Sequence, residues 1–163
     1  MPEKSQFKRE VALLILGATI TASSVFFTDY LNEKRLERKE NVQKKLEFNY
    51  QLSKDLGKRF YVTFDLYRQL RDTNAEFINE AKSKYCQSKE EWNIMNDSYQ
   101  SLLKYYYGNS IHTEFVNQIF NPLVNLGDNI KKNAIDSTLK DKYIILRNKN
   151  LNFIKKLYVL ANK

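Results

Sequence analysis

The chain has 163 residues and a formal net charge of +8, a length that suits one domain with an anchor. Only four Gly and two Pro occur, which leaves few turns and predicts long helices and an all-α fold. One Cys and one His exclude an intramolecular disulfide and the His-rich classes of metal site.

An uncharged, largely apolar segment runs from Val11 to Thr28, after a short N-terminal tail of residues 1–10. As a helix it is about 27 Å long, just under the roughly 30 Å hydrocarbon core of a bilayer. We therefore predict one transmembrane helix over residues 11–29. A cleaved signal peptide is the alternative, because the small residues TASS follow the run VALLILGATI. The span is favoured because apolar residues resume at Val25 and a dense basic segment follows.

The basic residues are distributed unequally about this span. Three precede it and six follow it closely: Lys4, Lys8 and Arg9 on one side, and Lys34, Arg35, Arg38, Lys39, Lys44 and Lys45 on the other. Because the more basic flank stays inside, we predict a single-pass inner-membrane protein with its N-terminus outside and its C-terminal domain in the cytoplasm.

Small and hydroxyl-bearing residues form a stripe along the predicted span. Gly17, Thr21, Ser24 and Thr28 follow a 4-3-4 spacing, which places them within about 60° of one another on a helix. In lipid, small residues allow close backbone approach and hydroxyl hydrogen bonds between helices. The stripe therefore predicts a homo-oligomer and a candidate pore face, although Ser and Thr also occur in spans without a partner.

The helix is predicted to continue beyond the membrane to Asp72, because residues 29–72 contain no Pro and one Gly. The stretch NEKRLERKENVQKK is polar on nearly every face, so residues 30–50 are predicted to form a basic juxtamembrane helix. A collar at the lipid headgroups is favoured over a solvated stalk. The later part has a broad apolar face and is expected to enter the core of a cytoplasmic α-helical domain, residues 51–163.

Two capping-box patterns divide the next segment. Thr73 with Glu76, and Ser88 with Glu91, predict helices over residues 74–86 and 89–107. Gly108 is the predicted stop of the second helix.

Three further helices are expected in the C-terminal part. Ser110 is a candidate cap for a short helix through Phe120, and Pro122 suits the first turn of a helix that runs to Asn133. Either Asp136 or Ser137 is expected to cap the last helix.

The chain carries no recognisable catalytic, cofactor or metal motif, so we expect no enzymatic activity, no cofactor and no bound metal. His112 and Cys86 lack a motif around them, which favours structural or surface roles over a nucleophile and base. Glu33, Glu37 and Glu40 share a helix face, but their basic neighbours make ion pairing the better explanation.

Basic residues interleaved with aromatic ones are the stronger candidates for function. Cations neutralise phosphates and aromatic faces stack bases, so such mixtures bind nucleotides or single-stranded nucleic acid. The candidates for an anionic ligand are Lys58, Arg59, Arg68, Arg71, Arg147 and Lys149. The stacking candidates are Tyr61, Tyr105, Tyr106 and Tyr107. Because the last three are consecutive and point in different directions, at least one should face a subunit, a ligand or water.

The layout of span, basic helix and helical cytoplasmic domain resembles the membrane effectors of bacterial phage defence. The CRISPR-associated membrane proteins gated by cyclic oligoadenylate and the transmembrane effector of the Hailong system are the similar types. The resemblance covers the whole layout without a diagnostic motif. It implies an oligomeric channel or membrane-disrupting effector that a nucleotide or oligonucleotide switches, with a partner protein encoded nearby. A membrane-tethered binding module without pore activity, such as an immunity protein or adaptor, is the alternative.

Overall fold

A computed structural model describes the backbone of residues 3–72, 75–133 and 136–162, and the side chains of residues 25–71, 75–132 and 136–162. The predicted all-α fold is confirmed, since these residues form helices and contain no strand. The helices are α1 (Glu3–Asp72), α2 (Ala75–Phe115), a π-helical turn (Val116–Phe120), α3 (Asn121–Asn133) and α4 (Thr138–Ala161). The chain divides into two units, residues 1–43 and residues 44–163.

The first unit holds the N-terminal part of α1. Its side chains are exposed from Val25 to Asn41, as expected for a segment that is polar on nearly every face. The Lys34 ammonium lies 5.6 Å from the ring centre of Tyr30. No helix within the described part of the chain is long and apolar enough to cross a membrane. Most of the predicted span, including Gly17, Thr21 and Ser24, lies outside the residues described in full, and Thr28 is exposed.

The second unit is a packed helical bundle with an aromatic core. The C-terminal part of α1 buries one residue per turn at Phe48, Leu52, Leu56 and Phe60. Phe48 packs on Tyr99 of α2 with ring centres 6.1 Å apart. These contacts bury apolar area between α1 and α2, which is the main force that holds such helices together.

The last helix covers the remaining side of this core. On α4 the buried residues follow the 4-3 spacing of a helix seam: Leu139, Tyr143, Leu146, Asn150, Phe153 and Leu157. Tyr143 stacks on Phe64 of α1 at 4.6 Å, and Phe153 packs on Phe115 of α2 at 5.7 Å. Helix α4 therefore contacts both α1 and α2.

The prediction of two helices between residues 74 and 107 is wrong. Helix α2 continues through Ser88, which is buried and lies one turn before Trp92 on the same inward face. Tertiary packing of that face outweighs the local capping preference of Ser88. The capping candidate Thr73 lies outside the described residues.

Other predicted boundaries are confirmed. The backbone leaves helical geometry at Gly108, with φ 83° and ψ 174°. Pro122 is the second residue of α3, and α1 ends at Asp72.

At the start of α4 the Asp136 carboxylate accepts a hydrogen bond of 2.8 Å from the Thr138 backbone N–H, whereas Ser137 makes no side-chain cap. Hydrogen bonds from Thr138 hold the pKa of Asp136 below its usual value.

Candidate functional site

An open cleft of about 330 Å³ lies between the π turn, α3 and α4. Its residues come from three consecutive elements of the second unit. The π turn contributes Gln118, and the two helices contribute four residues each: Pro122, Asn125, Leu126 and Asn129 from α3, and Lys142, Ile145, Leu146 and Lys149 from α4.

The two helices line the cleft with the same pattern. Each supplies positions i, i+3, i+4 and i+7, which share one face over two turns of a helix. The buried side chains of Leu126 and Leu146, each 5% exposed, form an apolar floor. Polar groups stand along the edges, so the cleft combines an apolar surface with hydrogen-bonding and charged groups, as ligand sites do.

The residues that line the cleft carry a net positive charge. Lys142 and Lys149 stand seven residues apart on α4, which corresponds to a rise of about 10 Å along the helix. Both are exposed, and neither forms an ion pair with a described residue. No carboxylate is present among the residues that line the cleft in the described part of the chain. The site is therefore suited to an anion, with amides from Gln118, Asn125 and Asn129 available for hydrogen bonds.

A π turn borders this cleft, and such turns occur often at functional sites. Phe120 closes the turn and packs on Trp92 of α2, with ring centres 6.5 Å apart. It also lies 6.4 Å from Phe115. These aromatic contacts hold the wider turn in place, and the turn sets the position of Gln118 beside α3.

Of the cationic residues named above as anionic-ligand candidates, Lys149 lies in the cleft. Lys58 forms an ion pair of 2.5 Å with Glu91, and the hydrogen bond from Lys58 holds the pKa of Glu91 below its usual value. Arg68 pairs with Asp65 at 2.9 Å.

The remaining predicted arginines lie apart from the cleft. The Arg71 guanidinium donates a hydrogen bond of 2.9 Å to the hydroxyl of Tyr67. Arg147 is exposed on α4 on a different face from Lys149. Arg59 is 3% exposed, donates to the carbonyl of Tyr85 at 3.2 Å and lies 4.3 Å from the centre of that ring. The Arg59 side chain is therefore buried within the bundle.

The predicted stacking residues are also separated from the cleft. Tyr61 is exposed on α1 and Tyr105 is exposed on α2, so the expectation that the three consecutive tyrosines cannot all be buried is confirmed. Tyr106 packs on Phe48 at 5.6 Å. The Tyr107 hydroxyl donates to Asn49 at 2.9 Å, and burial raises the pKa of Tyr107.

Sequence reasoning missed the amide residues of the cleft, Gln118, Asn125 and Asn129. The matching i, i+3, i+4, i+7 patterns of α3 and α4 were the available signal in the sequence.

Within the described residues no cluster of His, Cys, Asp or Glu could hold a metal ion. No Ser, Thr or Cys is present among the lining residues in this part of the chain.

No family model, curated protein or solved structure matches the chain.

Proposed function

We propose that this chain is a homo-oligomeric, membrane-anchored effector whose helical bundle binds a nucleotide or short oligonucleotide in the cleft between α3 and α4. The observation that carries the proposal is the pair Lys142 and Lys149, which forms no ion pair with a described residue and lies beside an apolar floor and three amides. Phosphates are neutralised by such lysines, and the flat face of a base is accommodated by apolar side chains.

The size and lining of the cleft support a nucleotide over a simple inorganic anion. Its volume of about 330 Å³ is at the lower end of ligand pockets, which run from about 300 to 1,000 Å³. An inorganic anion would leave the apolar floor of Leu126 and Leu146 uncovered. A base or ribose would cover that floor, and the amides of Asn125 and Asn129 could bind its polar edge.

The membrane part of the proposal comes from the sequence. The uncharged segment of residues 11–28 and the basic residues that follow it support an anchor with the bundle in the cytoplasm. The stripe of Gly17, Thr21, Ser24 and Thr28 supports contact between copies. A channel or membrane-disrupting activity in antiviral defence follows from the resemblance in layout to phage-defence effectors.

Ligand control requires that the two states of the protein differ in affinity for the ligand. The cleft meets this requirement because its walls come from two helices, α3 and α4. A ligand that contacts both Asn129 and Lys142 binds best at one spacing of the helices, so binding favours the state with that spacing.

Binding is tested on the full-length protein in detergent or nanodiscs, with ATP and a 5′-phosphorylated adenylate dinucleotide as probes. The Lys142→Ala and Lys149→Ala variants are each expected to weaken binding by about tenfold or more, since a charge-assisted contact contributes roughly 1.5–3 kcal/mol. The matched control is Lys104→Ala, an exposed lysine on α2. Equal affinity of all four proteins, or no binding of either probe at low salt, would contradict the proposal.

The membrane activity is tested separately by following membrane potential in cells that express the protein. Thr21→Leu combined with Ser24→Leu is expected to abolish depolarisation while the protein still inserts, because leucine removes both the hydroxyls and the close approach. Protease treatment of spheroplasts checks the orientation, and residues 30–163 should resist digestion from outside.

A membrane-tethered binding module without pore activity is the second candidate function. It is favoured by the exposure of Ile94 and Tyr105 on α2, each 81% exposed, since large side chains of this kind are buried at protein interfaces. For such a module, expression should leave membrane potential unchanged.

A further inference from the structure

Two exposed helix faces of the bundle have the same residue pattern with opposite charge. On α2, Glu90, Ile94 and Asp97 occupy positions i, i+4 and i+7. These positions lie on one side of a helix, so the two acids flank the isoleucine. All three are exposed, and Ile94 is 81% exposed. We call this group the acidic face.

The matching face lies on α4. Lys140, Ile144 and Arg147 occupy positions i, i+4 and i+7 and are all exposed, with Ile144 44% exposed. Exposed Leu151 extends the same side of the helix. We call Lys140, Ile144 and Arg147 the basic face. It is distinct from the side of α4 that lines the cleft, where Lys142 and Lys149 stand.

The charges of both faces have no ion-pair partner among the described residues. Charged residues close to them in the chain do pair within the bundle. Glu91, next to Glu90, bonds to Lys58 at 2.5 Å, and Lys89 lies 3.6 Å from Asp128. The bundle therefore satisfies the inward-turned charges of α2 and leaves those of the acidic face available.

We propose that the acidic face of one copy docks against the basic face of the next copy. The proposal rests on the homo-oligomer in the proposed function and names the surfaces that form it. In each face the charges are seven residues apart, about 10 Å along the helix, so two adjacent helices bring both charge pairs into register. Ile94 and Ile144 are then buried between them, and charge complementarity selects this pairing over acidic on acidic or basic on basic.

Such a contact is heterologous, because each copy uses one face to hold the copy before it and the other face to hold the copy after it. Repetition about an axis closes a ring. Copies anchored in one membrane are related by rotation about the membrane normal, which is the axis that a ring requires.

Cross-linking tests the contact directly in full-length protein reconstituted together in lipid. In a Cys86→Ser background, one tagged copy carries Ile94→Cys and another carries Ile144→Cys. A short bismaleimide should link the mixed pair, whereas each variant alone should give only background. A mixture that does not cross-link, or a variant that links to itself, would overturn the head-to-tail pairing.

Charge reversal tests the cause of the pairing. Glu90→Lys with Asp97→Lys in the Ile94→Cys copy should reduce the cross-link to background. Adding Lys140→Glu with Arg147→Glu to the Ile144→Cys copy should restore it, because both faces then have exchanged signs. A cross-link that survives the first reversal, or fails to return with the second, would overturn the assignment.

The matched control reverses Lys142 and Lys149 to Glu on the same helix and at the same spacing of seven residues. This variant should lose nucleotide binding and keep the cross-link. In the protein that retains Lys142 and Lys149, an absent cross-link together with nucleotide binding would mean that the docking faces are wrong and that the ligand site stands. In the same protein, a cross-link without nucleotide binding would mean that the ligand site is wrong and that the docking faces stand.

Discussion

The hydroxyl oxygen of Tyr85 lies 2.0 Å from the position that a Cβ atom on Gly127 would occupy. Tyr85 on α2 is fully buried, so its ring cannot swing away, and the ring carbon that bears the hydroxyl lies 2.9 Å from the same position. Glycine at this point of α3 therefore allows α3 to approach α2 closely.

Gly127→Ala should consequently destabilise the bundle. Overpacking of this kind lowers the free energy of unfolding by about 1–3 kcal/mol, which exceeds the gain of up to about 1 kcal/mol from alanine in a helix. Chemical unfolding of the full-length protein measures the difference. Tyr85→Phe is the control, because the buried hydroxyl makes no hydrogen bond to a described residue and its removal should be neutral or stabilising. The loss of unfolding free energy caused by Gly127→Ala should be smaller in the Tyr85→Phe background. An equal loss in both backgrounds would contradict the close contact between Tyr85 and Gly127.

Gly108 and Gly57 form a second matched pair for unfolding measurements. A Cβ atom meets nothing within 4 Å at either position, so packing does not separate them. Gly108 has φ 83° and ψ 174°, a region open essentially to glycine alone, whereas Gly57 lies within α1. We expect Gly108→Ala to destabilise by about 1–3 kcal/mol and Gly57→Ala to stabilise by up to about 1 kcal/mol. If both substitutions changed the free energy of unfolding with the same sign, the backbone conformation at Gly108 would not require glycine more than the conformation at Gly57 does.

Local chemistry in the sequence was enough to predict the break at Gly108, the position of Pro122 and a cap at either Asp136 or Ser137. Each depends on the conformational preference or hydrogen bonding of one residue and its near neighbours. Ser88 has the same kind of signal, yet the helix continues through it because the residue lies on the inward face beside Trp92. A capping pattern does not reveal which face is buried.

The candidate site was predictable only in part, for a related reason. Lys149 belongs to an evidently basic helix, so the sequence indicated it as a phosphate contact. Asn125 and Asn129 become site residues only because the π turn and the fold of α3 against α4 place them opposite the lysines. Phe120 of the π turn packs against Trp92, a contact between distant parts of the chain that a local sequence pattern does not show.

Arg59 is expected to act on stability and to leave ligand binding unchanged. It is 3% exposed, holds the carbonyl and ring of Tyr85, and is absent from the residues that line the cleft. Arg59→Ala removes that hydrogen bond, the cation–π contact and buried methylene groups, so a loss of about 1–3 kcal/mol is expected. Nucleotide titration of the folded variant should give the wild-type Kd. A stable variant with weakened binding would instead place Arg59 in the ligand site.

The bundle should lose stability at alkaline pH because buried tyrosines favour their neutral form. Burial, followed by the hydrogen bond that its hydroxyl donates to Asp55, raises the pKa of Tyr99. Burial also raises the pKa of Tyr143. A raised folded-state pKa gives a contribution that is complete below the unfolded value of about 10 and is lost as pH rises through the folded value. Unfolding free energy should therefore fall above about pH 10.

The Tyr99→Phe variant tests whether Tyr99 causes the loss of stability at alkaline pH. The variant should be less stable at neutral pH, because the hydrogen bond to Asp55 is gone, and its stability should fall less steeply between about pH 10 and 12. Tyr61→Phe makes the same chemical change at an exposed position of α1 and should follow the wild-type curve. If the free energy of unfolding fell equally with pH in the wild type and both variants, Tyr99 would not contribute to the pH dependence.

The two lysines of the cleft should favour ligands that carry a phosphate at each end. Lys142 and Lys149 stand about 10 Å apart along α4, and no other charge separates them among the lining residues. A linear adenylate dinucleotide phosphorylated at both termini should thus bind more tightly than AMP, and the advantage should decrease with added salt as counterions compete. Lys149→Ala removes one of the two contacts, so the doubly phosphorylated ligand should lose most of its advantage while AMP retains Lys142. If the variant weakened both ligands by the same factor, the lysines would act as a general positive field, and the cleft would not discriminate the spacing of the phosphates.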